Sequence, residues 1–557
     1  MKLGKAEAFG PLDHHDRGIR HVHAHLDHRR CHQHPRRAWQ PGRPRVYYLV
    51  APAGVPNWGD ELIAATWLRY LAHTHPHDTV VVDCHNPGKA AVLLRDLHPH
   101  LVVTNTLWDL VERAGRRIFP QDKEPIDPTD ITTQQLEQLC TLTRTWVLDG
   151  GAQADLATNL DLVGSADVLH IVGGGYLNDM WPHHAAIVAA VAAVADRPRP
   201  EGEPRPLFVA TGAGLMPQRL GVTLPYLLQA DVVTVRDAAS EAILHHTVNA
   251  VTSQQEPSAT PTLPEFFTEL TPRAEFAKVG DDTWLAVALG IMECATQRQA
   301  EERAAAQNRN FCTRLAAKMR CAVQSAHAAH AAYSAHSGRA ADGAVDRKAA
   351  GEAANSAAFG MPLLEWGCEH LTVADTYNYF PYHPAPEGCT TILCVQSDLV
   401  DDKETLWAWL RETLADWKVQ GSELLVVECI PYGDYAVWQN VIEQDFPGAQ
   451  FMPFARLWRE GLPVGENVRW LSTRFHPHLL ASAAGCAGVA VDAHDGDYYA
   501  VKHESVQAAG SLWPIVYPVG LPPQPPTHTC DVSRRETMVR GALDLANAIY
   551  CGTTEQC

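Results

Sequence analysis

The chain has 557 residues, more than one hydrophobic core normally organises, so two domains are expected. Its content of 46% hydrophobic and 20% charged residues is typical of a globular protein that folds in water. The formal net charge of -19 argues against a general binder of nucleic acid or of anionic membranes, because such binding needs a broad basic face. An anionic ligand would therefore need a local basic pocket.

Targeting and cysteine patterns point to a cytoplasmic location. No apolar segment approaches the about 20 residues of a membrane span, and the first residues lack the apolar core of a secretory signal. The 14 cysteines are scattered and include no C-x-x-C pair. This favours a reduced protein over a disulfide framework or a zinc module. We expect no integral membrane segment.

Residues 1–44 are predicted to form a histidine-rich, disordered tail. The segment has no hydrophobic period, and histidines without a fold to fix them do not make a catalytic metal site. No metal is expected in the protein. The histidines of this tail include His14, His15, His21, His23, His25, His28, His32 and His34.

From residue 45 the pattern becomes regular and predicts an N-terminal α/β domain over residues 45–290. The β-branched run Val46–Val50 predicts a strand, and a helical pattern follows over Glu61–Leu71. Alternation of strands with helices implies a parallel sheet covered by helices. Further strands are predicted at Thr79–Asp83, Leu101–Thr104, Val168–Val172, Leu207–Thr211 and Val232–Val235.

The second half repeats this alternation. Residues 291–386 are rich in alanine and are predicted to be an insertion or interdomain linker. Residues 387–525 are predicted to form a C-terminal α/β domain, and residues 526–557 a C-terminal helix or tail. The simplest architecture is two Rossmann-like α/β domains facing a cleft, with ligands at the carboxyl ends of the strands. The second domain's predicted elements are Thr391–Val395, Lys403–Trp417, Leu424–Ile430 and Val489–Asp492.

A first glycine-bearing loop precedes the helix predicted at Glu61–Leu71. Gly59 permits close approach of another group to the backbone, and Asp60 can cap the helix. Glu61 would complement the dipole of that helix. A cap alone is a strong alternative to a functional role for Asp60.

Two further glycine loops follow predicted strands. Three consecutive glycines open a concave backbone that can receive a ligand, and the pattern is neither the dinucleotide fingerprint nor a P-loop. A Gly212-x-Gly214 loop comes later, followed by Arg236 and Asp237 at a strand end; Asp237 alternatively pairs with Arg236 or caps the next helix. The residues of the three-glycine loop predicted to bind substrate are Gly173, Gly174, Gly175, Asn178 and Asp179.

Arg474-Phe475-His476 lie where a second-domain helix is predicted to begin. Pro477 suits the first helical position, so free backbone N–H groups would lie beside Arg474 and His476 and hold an anion. The alternative is that Arg474 makes a structural ion pair. Together with Arg236, these residues would clamp an anion across the cleft.

The ordered motifs resemble those of the polysaccharide pyruvyl transferase family. They are N-x-G-D-E at Asn57, G-G-G at Gly173, G-x-G-x-x-P at Gly212, V-R-D-x-x-S at Val235 and S-x-R-x-H at Ser472. The resemblance spans about residues 46–515 without the insertion, and includes a G-D motif at Gly280-Asp281. It implies a fold similar to glycosyltransferases of the B type.

The resemblance also implies a reaction. Members of the family transfer the enolpyruvyl group of phosphoenolpyruvate to sugar hydroxyls as a ketal, with phosphoenolpyruvate as donor substrate and no cofactor. By motif match, Arg236, Arg474 and His476 hold the donor, and Phe475 contributes its backbone. Guanidinium groups suit a ligand that carries a carboxylate and a phosphate. The acceptor would be a cell-surface polysaccharide or glycolipid precursor, and a lipid-linked acceptor would bring peripheral membrane contact.

An acid and a base are needed for this chemistry. His476 is predicted to donate to the phosphate or to act as the acid. Asp60 is the first choice as base, while Glu61 and Asp179 stay open as alternatives. Lys502 resembles the lysine that ends a family segment, and it either reaches phosphate or lies on the surface.

Two other functions remain open from sequence. One is a nucleotide-sugar glycosyltransferase of the B type, with Glu428 or Asp492 near the nucleotide. The other is a non-catalytic relative that acts as a binding scaffold, which the retention of three convergent polar side chains argues against.

Overall fold

The computed structural model describes most of the chain outside the two segments of unusual composition. It describes residue 22 and residues 44–119, 130–149, 154–198, 205–218, 220–252, 273–294, 296–297, 300, 380–400, 402–494, 497–527 and 529–551. The predicted histidine-rich tail and most of the alanine-rich insertion lie outside these residues. The chain divides into two compact units, residues 1–290 with 373–557, and residues 291–372. All the strands of the described residues lie in the first unit.

A parallel sheet of seven strands occupies the amino-terminal half, in the order β3-β2-β1-β4-β5-β6-β7. Because its β-branched and aromatic runs are buried on both faces, helices can cover both sides. The order of its first six strands is that of doubly wound α/β folds, which reverse direction between β1 and β4. The strands are β1 (Val46–Val50), β2 (Thr79–Asp83), β3 (Leu101–Thr104), β4 (Val168–Ile171), β5 (Leu207–Ala213), β6 (Val232–Val235) and β7 (Glu275–Lys278).

Helices follow these strands and share one core with them. The alanine- and valine-rich helix α6 is buried along almost its whole length, and it packs with α3 and α4 against β1, β4 and β5. Its small side chains let neighbouring helices approach closely. The helices of this half are α1 (Trp58–Thr74), α2 (Pro87–Leu93), α3 (Thr106–Ile118), α4 (Thr133–Leu148), α5 (Ala157–Gly164), α6 (Ala185–Asp196), α7 (Thr223–Leu227) and α8 (Ala238–Thr252).

The carboxyl-terminal half contains a second parallel sheet, in the order β11-β10-β9-β13-β14-β15. With β9 as its first strand, this order has the same reversal, here between β9 and β13. A separate pair, β8 (Tyr382–Pro384) and β12 (Leu462–Val464), is also parallel. The strands of the sheet are β9 (Thr391–Cys394), β10 (Leu424–Val427), β11 (Gln450–Met452), β13 (Arg469–Ser472), β14 (Ala487–Val491) and β15 (Ile515–Val516).

Tryptophan-rich packing forms the core of this second sheet. Trp407 and Trp409 of α9 pack with Leu393, Val426 and other buried strand residues. Asp402 begins α9 by accepting a hydrogen bond from the Thr405 amide at 3.0 Å. The longer helices of this half are α9 (Lys403–Asp416), α10 (Phe454–Glu460), α11 (Phe475–Ala483), α12 (Asp497–Ala508) and α13 (Val532–Tyr550).

The sequence prediction of an α/β protein with parallel sheets is confirmed, and several elements differ in their ends. The predicted strand over residues 424–430 ends at Val427, because the Asp434 carboxylate binds the amides of Cys429 and Ile430 at 2.8 and 2.9 Å. Residues 382–384, inside the predicted linker, form β8. The domain boundaries stay a prediction.

The last helix, α13, returns to the first sheet. The Tyr550 hydroxyl lies 2.7 Å from His170 Nδ1 of β4, and the Tyr550 ring contacts Tyr47 of β1 edge-on. Tyr70 of α1 donates to Asn547 at 2.8 Å. Residues at the end of the chain thus complete the packing of the amino-terminal sheet.

Within the part of the chain that the structure describes, no helix combines the length and the apolar character that a membrane crossing needs.

Candidate active site

The candidate site lies where both sheets reverse their strand order. In the first sheet, the loops after β1 and β4 carry Asp60 and Gly173–Gly175, and the loop after β6 carries Arg236. In the second sheet, Arg474 and His476 follow β13. The backbone N–H of Trp58 donates to the Cys429 carbonyl at 2.9 Å, which joins the start of α1 to the loop after β10. Such reversal points are where open α/β sheets bind ligands.

Arg236 follows β6 directly and is 5% exposed. Its Nε donates to Asp237 at 3.3 Å, and its guanidinium lies 5.1 Å from the centre of the Phe475 ring. Phe475 therefore contributes its ring to the site, in a cation–π contact, rather than only the predicted backbone. Asp237 also accepts from the Ser240 amide at 2.7 Å, so it makes both of the contacts weighed from the sequence.

Arg474 is held by two carboxylates. Its Nε and Nη2 donate to Asp434 Oδ1 at 3.0 and 2.6 Å, and its Nη1 donates to Asp398 Oδ2 at 3.2 Å. Nη2 also forms a short contact with Asp398. These contacts are the structural ion pair that the sequence left open as an alternative to anion binding. They occupy most of the guanidinium donors, and the two carboxylates outweigh the single positive charge.

His476 lies against α1 and beside Asp281. A β-carbon at Gly59 would overlap the His476 imidazole, which explains the glycine in the first loop. His476 Nε2 is 3.7 Å from Asp281 Oδ1, and among the described residues it has no hydrogen-bond partner. Burial would raise the pKa of Asp281, but His476 and Arg236 outweigh it and hold the pKa at about 2. Asp281 is therefore an ionised partner for His476.

The helix that carries His476 begins earlier than predicted. Arg474 is the N-cap of α11, so Pro477 occupies the third helical position and not the first. A proline is tolerated there because the amides of the first turn have no partner within the helix. No side chain caps this helix, so its amino-terminal dipole faces the site.

Asp60 is not the cap of α1. That position belongs to Asn57, whose side-chain oxygen accepts from the Gly59 amide at 3.2 Å. Asn57 Nδ2 then donates to Asp60 Oδ2 at 2.7 Å. Burial raises the pKa of Asp60, while His476, Lys502 and Arg236 oppose that shift, so three cationic side chains act on this carboxylate.

The two other candidate bases make structural contacts. Glu61 is fully buried and accepts from the Gly54 amide at 2.7 Å, and burial raises its pKa to about 8, so it is mostly protonated at neutral pH. Asp179 accepts from the Leu220 amide at 2.6 Å. Asn178 donates to the carbonyls of Gly175 and Met216, at 3.0 and 2.9 Å, and so ties two loops together.

The three glycines are approached by side chains of the protein itself. A β-carbon at Gly173 would lie 2.9 Å from the Asp282 carboxylate, and one at Gly174 would lie 2.9 Å from the Tyr176 ring. At Gly175 the nearest groups are the Tyr498 hydroxyl and Arg236. The glycines therefore let this loop pack between Asp282 and Arg236, a reason the sequence pattern did not reveal.

Asp282 joins α1, the glycine loop and β5. Its Oδ2 accepts from Trp67 Nε1 at 2.8 Å, from the Gly173 amide at 2.9 Å and from Thr211 Oγ1 at 2.6 Å. Since Thr211 gives its one hydroxyl proton to Asp282, it accepts from His170 Nε2 at 2.8 Å. His170 Nδ1 must then accept from Tyr550, and burial keeps this histidine neutral, with a pKa of about 3.

Lys502 is buried at the site and not on the surface, with 9% exposure. Its Nζ lies 3.7 Å from the centre of the Tyr498 ring and 4.6 Å from that of Tyr499. Burial lowers its pKa to about 8, with Arg236 and Arg474 adding to the shift. Lys502 is thus able to hold or release a proton near neutral pH.

One group of potential metal ligands occurs among the described residues, Cys394, Cys429 and Asp434, all buried. The sulfur atoms are 3.5 Å apart. Asp434, however, already accepts from two backbone amides and from Arg474, so its oxygens are occupied. Glu428 similarly accepts from the amides of Tyr432 and Phe454, at 3.2 and 3.0 Å.

Sequence reasoning missed several residues of the site. Asp281 was noted only within a G-D motif, and Tyr498 only as part of a segment. No sequence pattern indicated Asp398 or Asp434 as partners of Arg474, because they lie 76 and 40 residues before it. Asp492 accepts from the His494 amide at 3.3 Å.

The comparisons with known proteins give one match. No curated protein matches the chain. The sequence model of one family matches residues 57–251, the segment that runs from the cap of α1 through the glycine loops and Arg236. The family is polysaccharide pyruvyl transferase, and the match over residues 57–251 confirms the resemblance carried by the ordered loops.

Proposed function

We propose that the protein transfers the enolpyruvyl group of phosphoenolpyruvate to hydroxyls of a sugar acceptor, forming a pyruvate ketal and releasing phosphate. The observation that carries the proposal is the gathering of basic side chains around Asp60: His476 and Arg236 lie against the neighbouring glycines Gly59 and Gly175, and both of them and Lys502 act on the Asp60 carboxylate. In a chain of net charge -19, such a pocket is a local site for an anion that reacts beside a carboxylate. The family match supports the same reaction class.

The reaction needs one proton to be added and two to be removed. The methylene carbon of phosphoenolpyruvate gains a proton, which leaves an oxocarbenium-like centre at the adjacent carbon. One sugar hydroxyl attacks that centre and loses its proton. The carbon–oxygen bond to phosphate then breaks, and a second hydroxyl attacks the same carbon and loses its proton. One of the two protons replaces that given to the methylene group, and the other leaves with phosphate.

The chain's own residues fit these steps. Arg236 binds an anionic group of the donor, assisted by the uncapped start of α11. His476, beside Asp281, donates a proton or a hydrogen bond, and Lys502 supplies a group that titrates near neutral pH. Asp60 accepts the proton of the attacking hydroxyl.

The main role proposed for Arg474 is to position α11, whereas the sequence predicted that it holds the donor. Because Asp398 and Asp434 occupy its guanidinium, it fixes the start of α11, and with it His476. A direct contact with phosphoenolpyruvate through its remaining Nη1 hydrogen stays part of the proposal. We also propose that the two sheets belong to two Rossmann-like domains facing a cleft, as in B-type glycosyltransferases.

The biological setting follows from this assignment. The acceptor is proposed to be a precursor of a cell-surface polysaccharide or glycolipid, pyruvylated in the cytoplasm. If that precursor is attached to a lipid, the protein meets the membrane only at its surface.

Binding of phosphoenolpyruvate by the purified protein tests the proposal directly. Calorimetric titration should give saturable binding, and phosphorus NMR should show phosphate released when saccharide acceptors are added. Arg236→Lys should weaken donor binding by about tenfold to a hundredfold, since a charged hydrogen bond is lost. Arg205→Lys is the matched control, because Arg205 pairs with Asp231 at the opposite edge of the same sheet, at 2.5 Å.

Binding of a nucleotide sugar in place of phosphoenolpyruvate would contradict the proposal and favour a glycosyltransferase. Equal donor affinity in Arg236→Lys and Arg205→Lys would contradict the assignment of the donor site. Binding of saccharide alone, without turnover of either donor, would identify a scaffold.

A further inference from the structure

A group of histidine and aromatic side chains lies on the same sheet edge as the candidate site, beyond Asp60. His85 follows β2, and Trp108 lies in the first turn of α3 after β3. Trp181, His183 and His184 belong to the loop after β4. These five residues form what we call the histidine–aromatic cluster. None of them has a role in the proposed donor site.

The strand order places this cluster in line with the reacting groups. All strands of the first sheet are parallel, so the loops after them lie along one edge in the order of the strands. Arg236 and Asp281 follow β6 and β7 at one end, and Asp60 follows β1 near the middle. His85 and Trp108 follow β2 and β3 at the other end, and the loop after β4 reaches across to them through the contact of His184 with Trp108. A substrate that reacts at Asp60 with a donor held by Arg236 would extend towards the cluster.

The rings of the cluster contact one another. The His85 and Trp108 ring centres are 3.8 Å apart, and Trp108 meets His184 edge-on at 5.1 Å. Trp181 stacks on His184 with 19° between the planes and 6.3 Å between the centres. The His183 ring centre is 4.4 Å from that of His184. The cluster is thus a packed surface with a defined shape.

Two members remain open to solvent. Trp181 is 43% exposed and His85 is exposed, although both pack on buried rings of the same cluster. Trp108 and His184 beneath them are 4% and 6% exposed. An exposed tryptophan held by a stacked partner is preorganised for contact, because few rotamers are lost on binding.

The cluster adjoins the proposed base through Tyr176. A β-carbon at Gly174 would lie 2.9 Å from the Tyr176 ring and 3.5 Å from Asp60 Oδ1. The Tyr176 ring centre is in turn 6.2 Å from that of Trp108 and 5.9 Å from that of His184. One residue therefore separates Asp60 from the cluster.

The buried histidines of the cluster are uncharged at neutral pH. Burial lowers the pKa of His183 to about 4 and of His184 well below its usual range. His184 Nδ1 donates to the Tyr176 carbonyl at 2.9 Å, which leaves Nε2 as an acceptor. The histidines do not form a metal-ligand group; among the described residues, the one such group is Cys394, Cys429 and Asp434.

We propose that the histidine–aromatic cluster is the acceptor subsite, which binds an uncharged sugar ring with Trp181 against its C–H face and His85 beside its hydroxyls. The proposal rests on the proposed function for its orientation towards Asp60. Aromatic faces suit the apolar side of a pyranose, and neutral imidazoles both donate to and accept from hydroxyl groups.

Saccharide binding without donor tests the subsite. The probes are methyl hexopyranosides and N-acetylhexosamines, titrated into the full chain by saturation-transfer NMR and tryptophan fluorescence. Trp181→Ala and His85→Ala should each weaken binding, the former by about tenfold, while a folded circular-dichroism spectrum is kept. Tyr517→Ala, which removes a 56% exposed aromatic side chain elsewhere, is the control and should bind as the unaltered chain does.

The outcomes separate the subsite from the proposed reaction. Loss of saccharide affinity in both cluster variants, but not in Tyr517→Ala, supports the subsite even if phosphoenolpyruvate does not bind. Equal affinity in Trp181→Ala, His85→Ala and the unaltered chain overturns it, even if phosphoenolpyruvate binds normally. Failure of every probe to bind the unaltered chain at millimolar concentration also overturns it.

Discussion

Two buried arginines follow parallel strands in the two halves of the protein, and their partners differ. Arg236 makes an ion pair with Asp237 through Nε at 3.3 Å and lies over the Phe475 ring. Arg474 meets two carboxylates, Asp398 and Asp434. A guanidinium whose donors are shared by two carboxylates has little positive potential left for a ligand, whereas Arg236 keeps more. The same residue type thus has a structural role after a strand in one half, and the proposed donor-binding role after a strand in the other.

The largest effect expected from this difference is on stability. Arg474→Ala leaves the buried Asp434 carboxylate without its cation, so the unfolding free energy should fall by about 3 to 5 kcal/mol. Urea denaturation followed by tryptophan fluorescence measures the change. In the double variant Arg474→Ala, Asp434→Ala, part of the loss should be restored. A single Arg474→Ala as stable as the unaltered chain would mean that Arg474 is a ligand group and not a clamp.

The next effect concerns His476, which lies two residues after Arg474 and beside Asp281. Gly59→Ala introduces a methyl group into the space of the imidazole, so transfer activity should fall by about a hundredfold or more as His476 is displaced. Gly115→Ala in α3 is the matched control, since its new methyl group would meet Phe119 at an ordinary 3.7 Å. That control should keep activity and gain up to about 1 kcal/mol of stability from helix propensity. Comparable activity in both variants would refute the placement of His476.

The smallest effect is a pH dependence that reports on both arginines. The folded-state pKa of Lys502, about 8, lies below its ordinary value of 10.5, so between these values the unfolded chain binds more protons. Raising the pH from 8 to 10 should therefore stabilise the unaltered chain relative to Lys502→Met. Arg236→Met should reduce this gain more than Arg474→Met, because the charge of Arg474 is compensated. Denaturation curves at each pH measure it, and a difference that is flat with pH would contradict the burial of Lys502.

The sequence was sufficient to predict most of the sheet and the loops that bear the site. Residues 46–50, 79–83, 101–104 and 232–235 form strands with the predicted ends, because buried parallel strands are short apolar runs bounded by turn residues. Both sheets are parallel and reverse their strand order once, so the loops after their strands are expected at the carboxyl-terminal edge of each sheet. The local sequence pattern therefore predicts a strand wherever the residues that form and end it are neighbours in sequence.

What the sequence could not provide were contacts between distant residues. The helix predicted to begin at Glu61 begins at Trp58, so Asn57 and not Asp60 is its cap. The pairing of Arg474 with Asp398 depends on β9 and β13 being neighbours in the second sheet. The approach of His476 to Gly59 depends on how the two sheets are packed together. The histidine–aromatic cluster was likewise invisible, since its members come from three separate loops.

The contact between Tyr550 and His170 has a consequence for how the protein is made. A chain emerging from the ribosome would have the whole first sheet available long before residue 550 is synthesised. Until then His170 lacks the donor that fixes its tautomer, and the hydrogen bonds through Thr211 to Asp282 are incomplete. Because Asp282 also holds Gly173 of the glycine loop, the hydrogen-bond network behind this loop is complete only when α13 is docked on the first sheet.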